Sequence, residues 1–244
     1  MAVHTALAPA RTAFAPYRLP PGALPAEASR VAADAAAEPL VARLDEPLPG
    51  AMVGSALAEV AAGHAFAPEE ACRAADGSPS GNPGHLRACL TSPRHRARVE
   101  AAVQAALAAG YAGVWLERPD APVAQGFLGS GFCPDCQRAF SRDLAREYGE
   151  HFMPLDYLAM AREALASASG AVSHEQLPFG HDFWRGRVAA LDGAVNAYAR
   201  AARDAARAAG RPFEVAAQWE AVGPAQLLAS RHLDAALFPV KADT

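Results

Sequence analysis

Two cysteines, Cys133 and Cys136, are separated by two residues and offer the clearest chemistry in this sequence. Phe140 and Leu144 follow at helical spacing, which predicts that the pair lies where a turn enters a helix. The N-terminus of a helix lowers thiol pKa values and favours the thiolate that a metal ion requires. The C-x-x-C pattern therefore predicts a metal chelate or a redox pair, and two unliganded buried thiols are the alternative.

A third cysteine, Cys89, precedes a predicted helix that starts at Ser92-Pro93 and ends at Gly110. That helix and the strand predicted over 113–116 separate Cys89 from the C-x-x-C, so we expect both loops at one rim of the sheet. Three thiolates from two loops are typical of zinc, but a closed structural site needs a fourth ligand. The candidates for this fourth ligand are Cys72, His85, His95 and Asp135.

Carboxylates follow two of the predicted strands. Glu117 and Asp120 come directly after the strand over 113–116, and Glu220 ends the strand over 213–220. In α/β barrels the functional residues lie at these carboxyl ends of the strands. A salt bridge with Arg118 is the alternative role for Glu117, and a solvated loop carboxylate is the alternative for Glu220.

The elements that position these residues alternate between helices and strands. Apolar spacing predicts helices over 93–110, 137–148, 155–168 and 182–210, and strands over 113–116, 213–220 and 233–239. The apolar run 51–60 fits either a strand or a loop into a helix. Buried strands between helices predict a parallel sheet covered by helices. We therefore expect an α/β fold of the (β/α)8 TIM-barrel type over residues 51–244, incomplete because only three strands are clear.

The first fifty residues are rich in Ala and Pro, and we interpret residues 1–50 as an N-terminal extension with at most one helix, over 26–44. The turn-forming residues between 61 and 93 predict a long surface loop. A net charge of −4 without a basic face argues against a nucleic-acid partner. No apolar run reaches the roughly 18 residues of a membrane span, and no signal peptide is recognisable, so we expect a cytoplasmic protein without a membrane partner.

The motifs occur in a recognisable order: a Cys before T-S-P-x-x-R, a strand GVWL, then F-C-x-x-C-x-x-x-F and a helix ending in Tyr-Gly. In this order the sequence resembles the zinc-cluster β-galactosidases, family 42 of the glycoside hydrolases, and related glycosidase-like barrels. The resemblance covers about residues 75–150 and rests on Cys89, Ser92, Pro93, Arg96, Trp115, Cys133, Cys136, Phe140, Tyr148 and Gly149. It implies a structural zinc ion held by Cys89, Cys133 and Cys136, and a carbohydrate as the partner or substrate.

The resemblance also implies roles for the strand-end residues. Glu117 or Asp120 would be the general acid/base and Glu220 a second carboxylate, because glycosidases use two carboxyl groups flanking the scissile bond. Trp219 would be a platform on which a sugar ring stacks, with core packing as the alternative. We expect Trp115 to be buried.

Two departures from the family pattern lower the activity that we expect. Gly131 stands where the family has a third nearby cysteine, and Pro119 stands at the family's acid/base position. The alternative function is a catalytically inactive barrel fragment that serves as a structural or binding module. A thiol redox protein using Cys133 and Cys136 is a third hypothesis. Exposed strand edges of an open barrel would favour association into a homo-oligomer.

Overall fold

The structure is a computed structural model, and it describes residues 13–18, 41–43, 56–82, 84–124, 126–149, 155–168, 172–221 and 223–240. The strands are β1 Ala13–Arg18, β2 Val41–Arg43, β3 Leu57–Val60, β4 Gly81–Asn82, β5 His85–Leu86, β6 Gly113–Glu117, β7 Glu214–Gln218 and β8 Ala235–Val240. The α-helices are α1 Pro93–Ala108, α2 Pro134–Tyr148, α3 Tyr157–Ser167, α4 Gly180–Ala209 and α5 Pro224–Ser230.

Six of the strands form one sheet in the order β1-β8-β7-β6-β3-β2. Strands β2, β3, β6, β7 and β8 run parallel, and β1 pairs with β8 in the antiparallel direction. The prediction of a parallel sheet combined with helices is confirmed. The parallel strands also follow one another across the sheet in chain order, without the reversal that defines doubly wound folds.

The chain divides into two compact units. The first, which we name the sheet unit, comprises residues 1–63, 97–120 and 192–244 and contains the six-stranded sheet. The second, which we name the cysteine unit, comprises residues 64–96 and 121–191. All four cysteines of the chain belong to the cysteine unit.

The core of the sheet unit is built by continuous apolar runs in its strands. Val114 and Leu116 of β6 are fully buried, and Trp115 between them is only 3% exposed. Because successive side chains of a strand point to opposite faces, burial of all three means that both faces of β6 are covered. The predicted burial of Trp115 is confirmed.

Aromatic side chains form the core of the cysteine unit. Phe140 and Leu144 lie one turn apart on α2 and are both buried, as their spacing predicts. Around them pack Phe127, Phe132, Tyr157, Ala161, Leu177 and Phe183. The ring centroids of Phe140 and Phe183 are 5.2 Å apart at an interplanar angle of 83°, the edge-to-face arrangement that aromatic pairs favour.

Two predictions about irregular segments need correction. Residues 61–93 are not a surface loop: they contain the hairpin of β4 and β5, and Cys72, Ala75 and Ala88 within them are buried. Apolar spacing in the segment 26–44 predicts a helix, but the described part Val41–Arg43 is a strand, because its backbone pairs with β3. Residues 26–40 lie outside the described residues. Within the part of the chain that the structure describes, no helix has the length and apolarity to cross a membrane.

Candidate metal centre and strand-end carboxylates

The sulfur atoms of all four cysteines meet in the cysteine unit. The Sγ of Cys89 lies 3.1 Å from that of Cys133 and 3.5 Å from that of Cys136. Cys72 completes the group, and the four sulfurs all lie within 4.8 Å of one another. The predicted proximity of Cys89, Cys133 and Cys136 is confirmed, and Cys72 is the fourth member.

The other candidates for the fourth ligand are engaged elsewhere. The ring of His85 faces that of His64, with centroids 6.0 Å apart, and Asp135 forms an ion pair with Arg138. His95 is fully buried in α1. None of the three belongs to the group of sulfurs.

Local structure brings the cysteines together from three segments. Cys133 is the N-cap residue of α2, and Cys136 lies in its first turn, as the C-x-x-C pattern predicts. The backbone N–H of Cys72 donates to the carbonyl of Arg87 over 2.8 Å, and that of Cys89 donates to the carbonyl of Glu70 over 2.7 Å. These bonds align the segments around Cys72 and Cys89 side by side.

Two neighbouring groups contact the sulfurs directly. The backbone N–H of Gly131 donates to the Sγ of Cys72 over 3.0 Å. The hydroxyl oxygen of Thr91 lies 3.0 Å from the Sγ of Cys89 and 3.3 Å from that of Cys136. Gly131 is the position at which the family that the sequence resembles has a cysteine, and here the fourth sulfur of the group is that of Cys72 from an earlier segment.

The geometry of the four thiols fits a metal ion better than a disulfide. All four are free, and the 3.1 Å between Cys89 and Cys133 is well beyond the roughly 2.05 Å of an S–S bond. Zinc bonds of about 2.3 Å in a tetrahedron place the sulfurs about 3.8 Å apart, in the range observed here. Cys72, Cys89 and Cys133 are each less than 5% exposed and Cys136 is partly exposed, so most of the site is shielded from solvent.

Hydrogen bonds connect the sulfurs of the group. The thiol of Cys133 donates to the sulfur of Cys89, and this hydrogen bond lowers the pKa of Cys89. Hydrogen bonding with Cys133 and the burial of the site raise the pKa of Cys136. A divalent ion would displace the protons that remain on the thiols, because only thiolates bind metal.

In the sheet unit, the strand-end carboxylates lie on one side of the sheet, where the parallel strands reach their carboxyl ends. Glu117 is the last residue of β6 and pairs in register with Gln218, the last residue of β7. Glu220 follows two residues later. Because β6 and β7 are parallel neighbours, Glu117 and Glu220 emerge from the same edge, and both are partly exposed.

Asp120 is a fully buried carboxylate with three hydrogen-bond donors. It accepts from the backbone N–H of Glu220 over 2.8 Å, from that of Ala221 over 3.1 Å and from the side-chain amide of Gln226 over 2.8 Å. Burial raises the pKa of Asp120, and the three donors oppose that rise. The carboxylate therefore ties the turn after β6 to the turn after β7, and in this conformation it has no exposed atom to offer a substrate.

The structure corrects the role suggested for Trp219. Its side chain is fully buried next to the end of β7, so neither face of the indole is exposed to a sugar ring. Trp219 therefore packs in the core, which is the alternative role that the sequence allows. β7 is buried on both faces, and Trp219 directly follows it, so Trp219 continues the buried run of the strand.

Sequence reasoning missed three residues around the sulfur cluster. Thr91 and Gly131 contact the sulfurs, and Arg187 of α4 binds the loop that precedes the C-x-x-C. Thr91 and Gly131 lie next to the cysteine motifs, and a search for donors near the cysteines could have found them. Arg187 is distant in sequence and carries no motif.

Comparisons with protein-family models, with curated proteins and with solved structures find no match to this chain. Its function therefore has to be inferred from the four sulfurs and the strand-end carboxylates themselves.

Proposed function

We propose that this chain binds one zinc ion through Cys72, Cys89, Cys133 and Cys136, and that the ion stabilises the cysteine unit. The observation that carries the proposal is the group of four sulfurs within 4.8 Å of one another. Four cysteine ligands close the coordination shell of zinc, which is typical of structural sites, whereas catalytic sites keep one position for water or substrate. The burial of three of the four thiols supports the same role.

The experiment is a metal measurement on protein purified without chelator. We expect about one zinc per chain, and after exchange into Co²⁺ we expect the absorption of a tetrahedral thiolate site. Cys72→Ser should weaken zinc binding as strongly as Cys133→Ser, because both sulfurs belong to the same shell. Protein that contains no zinc and takes up none would refute the proposal, and full retention by Cys72→Ser would reduce the site to three cysteines.

For the sheet unit we propose a glycosidase-like α/β barrel that acts on or binds a carbohydrate. The chain-order progression of parallel strands is the connectivity that such a barrel requires. Glu117 and Glu220 at one edge of the sheet are the two carboxylates that the chemistry needs. Asp120 then acts as the residue that holds the Glu220 turn, through its bonds to the Glu220 and Ala221 backbone.

The alternative, an inactive structural or binding module, is favoured by a specific observation. Trp219 and Asp120 are both fully buried, so neither can contact a sugar in this conformation. A redox function has less support, because a dithiol pair needs only two sulfurs and here four converge. In such a module, zinc and the aromatic core would stabilise the cysteine unit. The carboxyl ends of the strands would bind a saccharide without hydrolysing it.

Turnover of aryl α- and β-glycosides separates the two functions. If the protein is an enzyme, Glu117→Gln and Glu220→Gln should each lower kcat by about 10²–10⁴-fold, the usual contribution of acid–base catalysis. Glu214→Gln is the matched control, since Glu214 begins β7 and lies at the opposite edge of the sheet. Saccharide binding without hydrolysis supports the module, and activity unaffected by both variants contradicts the assignment of this edge.

A further inference from the structure

Arg187 is a buried arginine, and the hydrogen-bond partners it has among the described residues do not include a carboxylate. It lies in α4 and is only 8% exposed. Among the described residues, all of its hydrogen-bond acceptors are backbone carbonyls or a hydroxyl. The Cζ of Arg187 lies 5.3 Å from the centroid of the Trp184 ring, a cation–π contact that offsets part of the cost of burial. A negatively charged group nearby would stabilise the buried guanidinium further.

The guanidinium organises the loop that leads into the C-x-x-C. One nitrogen, Nη1, donates to the carbonyls of Gly126 and Phe127 over 2.8 and 3.2 Å. The other, Nη2, donates to the carbonyl of Pro122 over 2.6 Å and to the hydroxyl of Ser130. Ser130 is fully buried and donates in turn to the carbonyl of Pro122. The two ends of this loop are thus joined through one side chain.

The same side chain contacts the backbone beside the sulfurs. Gly131 packs against the alkyl part of Arg187 so closely that a Cβ at this position would lie 3.2 Å from its Cδ. The N–H of Gly131 donates to the Sγ of Cys72, and Cys133 follows two residues later. Movement of Arg187 would therefore displace both a hydrogen-bond donor to one ligand and the segment that carries another.

Charge links Arg187 to the sulfurs as well. A divalent ion with four thiolates carries a net charge of about −2, which a buried site has to neutralise. Arg187 and Cys136 line the same cavity, whose volume is about 380 Å³. Burial lowers the pKa of Arg187, and the negative charge that Cys72 and Cys136 carry when they are thiolates opposes that lowering.

We propose that Arg187 is the positioning residue of the metal centre: it fixes the loop before Gly131 and supplies the positive charge that offsets the metal–thiolate cluster. This inference rests on the proposed zinc function. It assigns to a residue of α4 a role in a site whose four ligands all come from other segments. Outer-shell residues of this kind typically change metal affinity by about 10–100-fold when they are replaced.

The test measures zinc affinity of the full chain by competition with a chromophoric chelator. Arg187→Met keeps the length of the side chain but removes its charge and donors, and we expect affinity to fall by about 10–100-fold. Arg187→Lys keeps the charge and should recover part of the loss. Arg200→Met is the matched control, because Arg200 is an exposed arginine of the same helix, and its affinity should equal that of the wild type.

A second readout separates positioning from a general loss of stability. The Co²⁺ absorption bands should shift in Arg187→Met and stay unchanged in Val215→Ala, which removes part of a fully buried side chain from β7 in the sheet unit. Wild-type affinity and an unshifted Co²⁺ spectrum in Arg187→Met overturn the role of Arg187 while leaving the zinc site intact. Wild-type protein without zinc affinity overturns both proposals.

If Arg187→Met does not fold, Ser130→Ala takes its place. It removes only the hydroxyl that joins Arg187 to Pro122, and we expect a several-fold weaker affinity for zinc. Unchanged zinc affinity in Ser130→Ala would contradict the proposal that Arg187 acts on the site through this loop.

Discussion

The geometry of the sulfur cluster depends on a residue that has no side chain. Gly131 has a φ of +96°, a conformation that residues with a Cβ rarely adopt. An added Cβ would lie 2.8 Å from the ring of Phe183, which is closer than real contacts allow. In this position its N–H reaches the sulfur of Cys72, so the conformation of the glycine places a hydrogen-bond donor at the sulfur cluster.

Gly131→Ala should destabilise the protein and weaken zinc binding together. Positive φ alone costs about 1 kcal/mol for alanine, and the contact with Phe183 adds to it. Gly149→Ala is the control, since Gly149 has a φ of +75° and no atom within 4 Å of the added Cβ. Urea unfolding and zinc competition measure both effects. Equal losses in the two variants would show that the contact with Phe183 does not matter.

Tyr157 presents the opposite situation, a polar atom that the core does not use. Its side chain is 1% exposed, and its hydroxyl has no hydrogen-bond partner among the described residues. The rings of Phe140 and Phe183 surround it at centroid distances of 4.8 and 5.0 Å. Burial raises the pKa of Tyr157 above its usual value.

Tyr157→Phe should therefore raise the free energy of unfolding by roughly 1 kcal/mol, because a buried hydroxyl without a partner is removed. A pKa raised in the folded state favours folding below the usual tyrosine pKa of about 10, and this contribution is lost as pH rises further. The variant should lose less stability than the wild type above about pH 10. Urea unfolding of the variant and of the wild type at pH 7 and 10.5 tests this. A less stable variant at pH 7 would contradict it.

At the scale of elements, Asp120 connects the ends of two parallel strands. β6 and β7 are joined by ladder hydrogen bonds along their length, but the turns that follow them have no ladder. There the Asp120 carboxylate takes the place of ladder hydrogen bonds. It accepts from two backbone N–H groups of the turn after β7 and from the side-chain amide of Gln226 in α5. The position of Glu220 at the sheet edge follows from this carboxylate.

Asp120→Ala should lower the free energy of unfolding by about 3 kcal/mol or more, because three buried donors lose their acceptor. Asp120→Asn should cost less, since the amide oxygen can still accept. Urea unfolding of both variants measures the difference. If Glu220 contributes to a carbohydrate site, both variants should also weaken saccharide binding, and Asp120→Ala should weaken it more than Asp120→Asn. Equal stability of Asp120→Ala and the wild type would show that the turn after β7 is held by other contacts.

At the scale of the molecule, the four candidate metal ligands are confined to one compact unit. All four cysteines lie in the cysteine unit, whereas the parallel sheet lies in the sheet unit. The aromatic core of the cysteine unit comes from three helices and the loops between them, without a strand of the main sheet. In the proposed site, zinc would link the Cys72 segment, the Cys89 segment and the start of α2.

Removal of zinc by a chelator should therefore affect the two units differently. We expect amide hydrogen exchange to accelerate within 64–96 and 121–149, which carry the ligands, and protection to persist in β6 and β7. Mass spectrometry of peptic peptides before and after chelation measures this. Uniform loss of protection across both units would show instead that the chain unfolds as one cooperative unit.

The sequence by itself determined the local features of this protein. The C-x-x-C at the start of α2, the buried run around Trp115 and the carboxylate at the end of β6 all follow from spacing along the chain. These features depend on contacts between residues close in sequence, or on a burial pattern that repeats with the period of a helix or a strand. The alternation of helices and strands similarly predicted a parallel sheet.

Tertiary structure decided which distant residues meet. Cys72 was one of four candidates for the fourth ligand, and only the pairing of its segment with that of Cys89 places its sulfur in the group. Asp120 and Trp219 occur where a sugar site was expected, but both are enclosed by the fold. Burial and partnership at such positions depend on segments up to a hundred residues away, and no periodicity within one segment encodes them. The role of Arg187 is visible only once α4 lies against the loop that it binds.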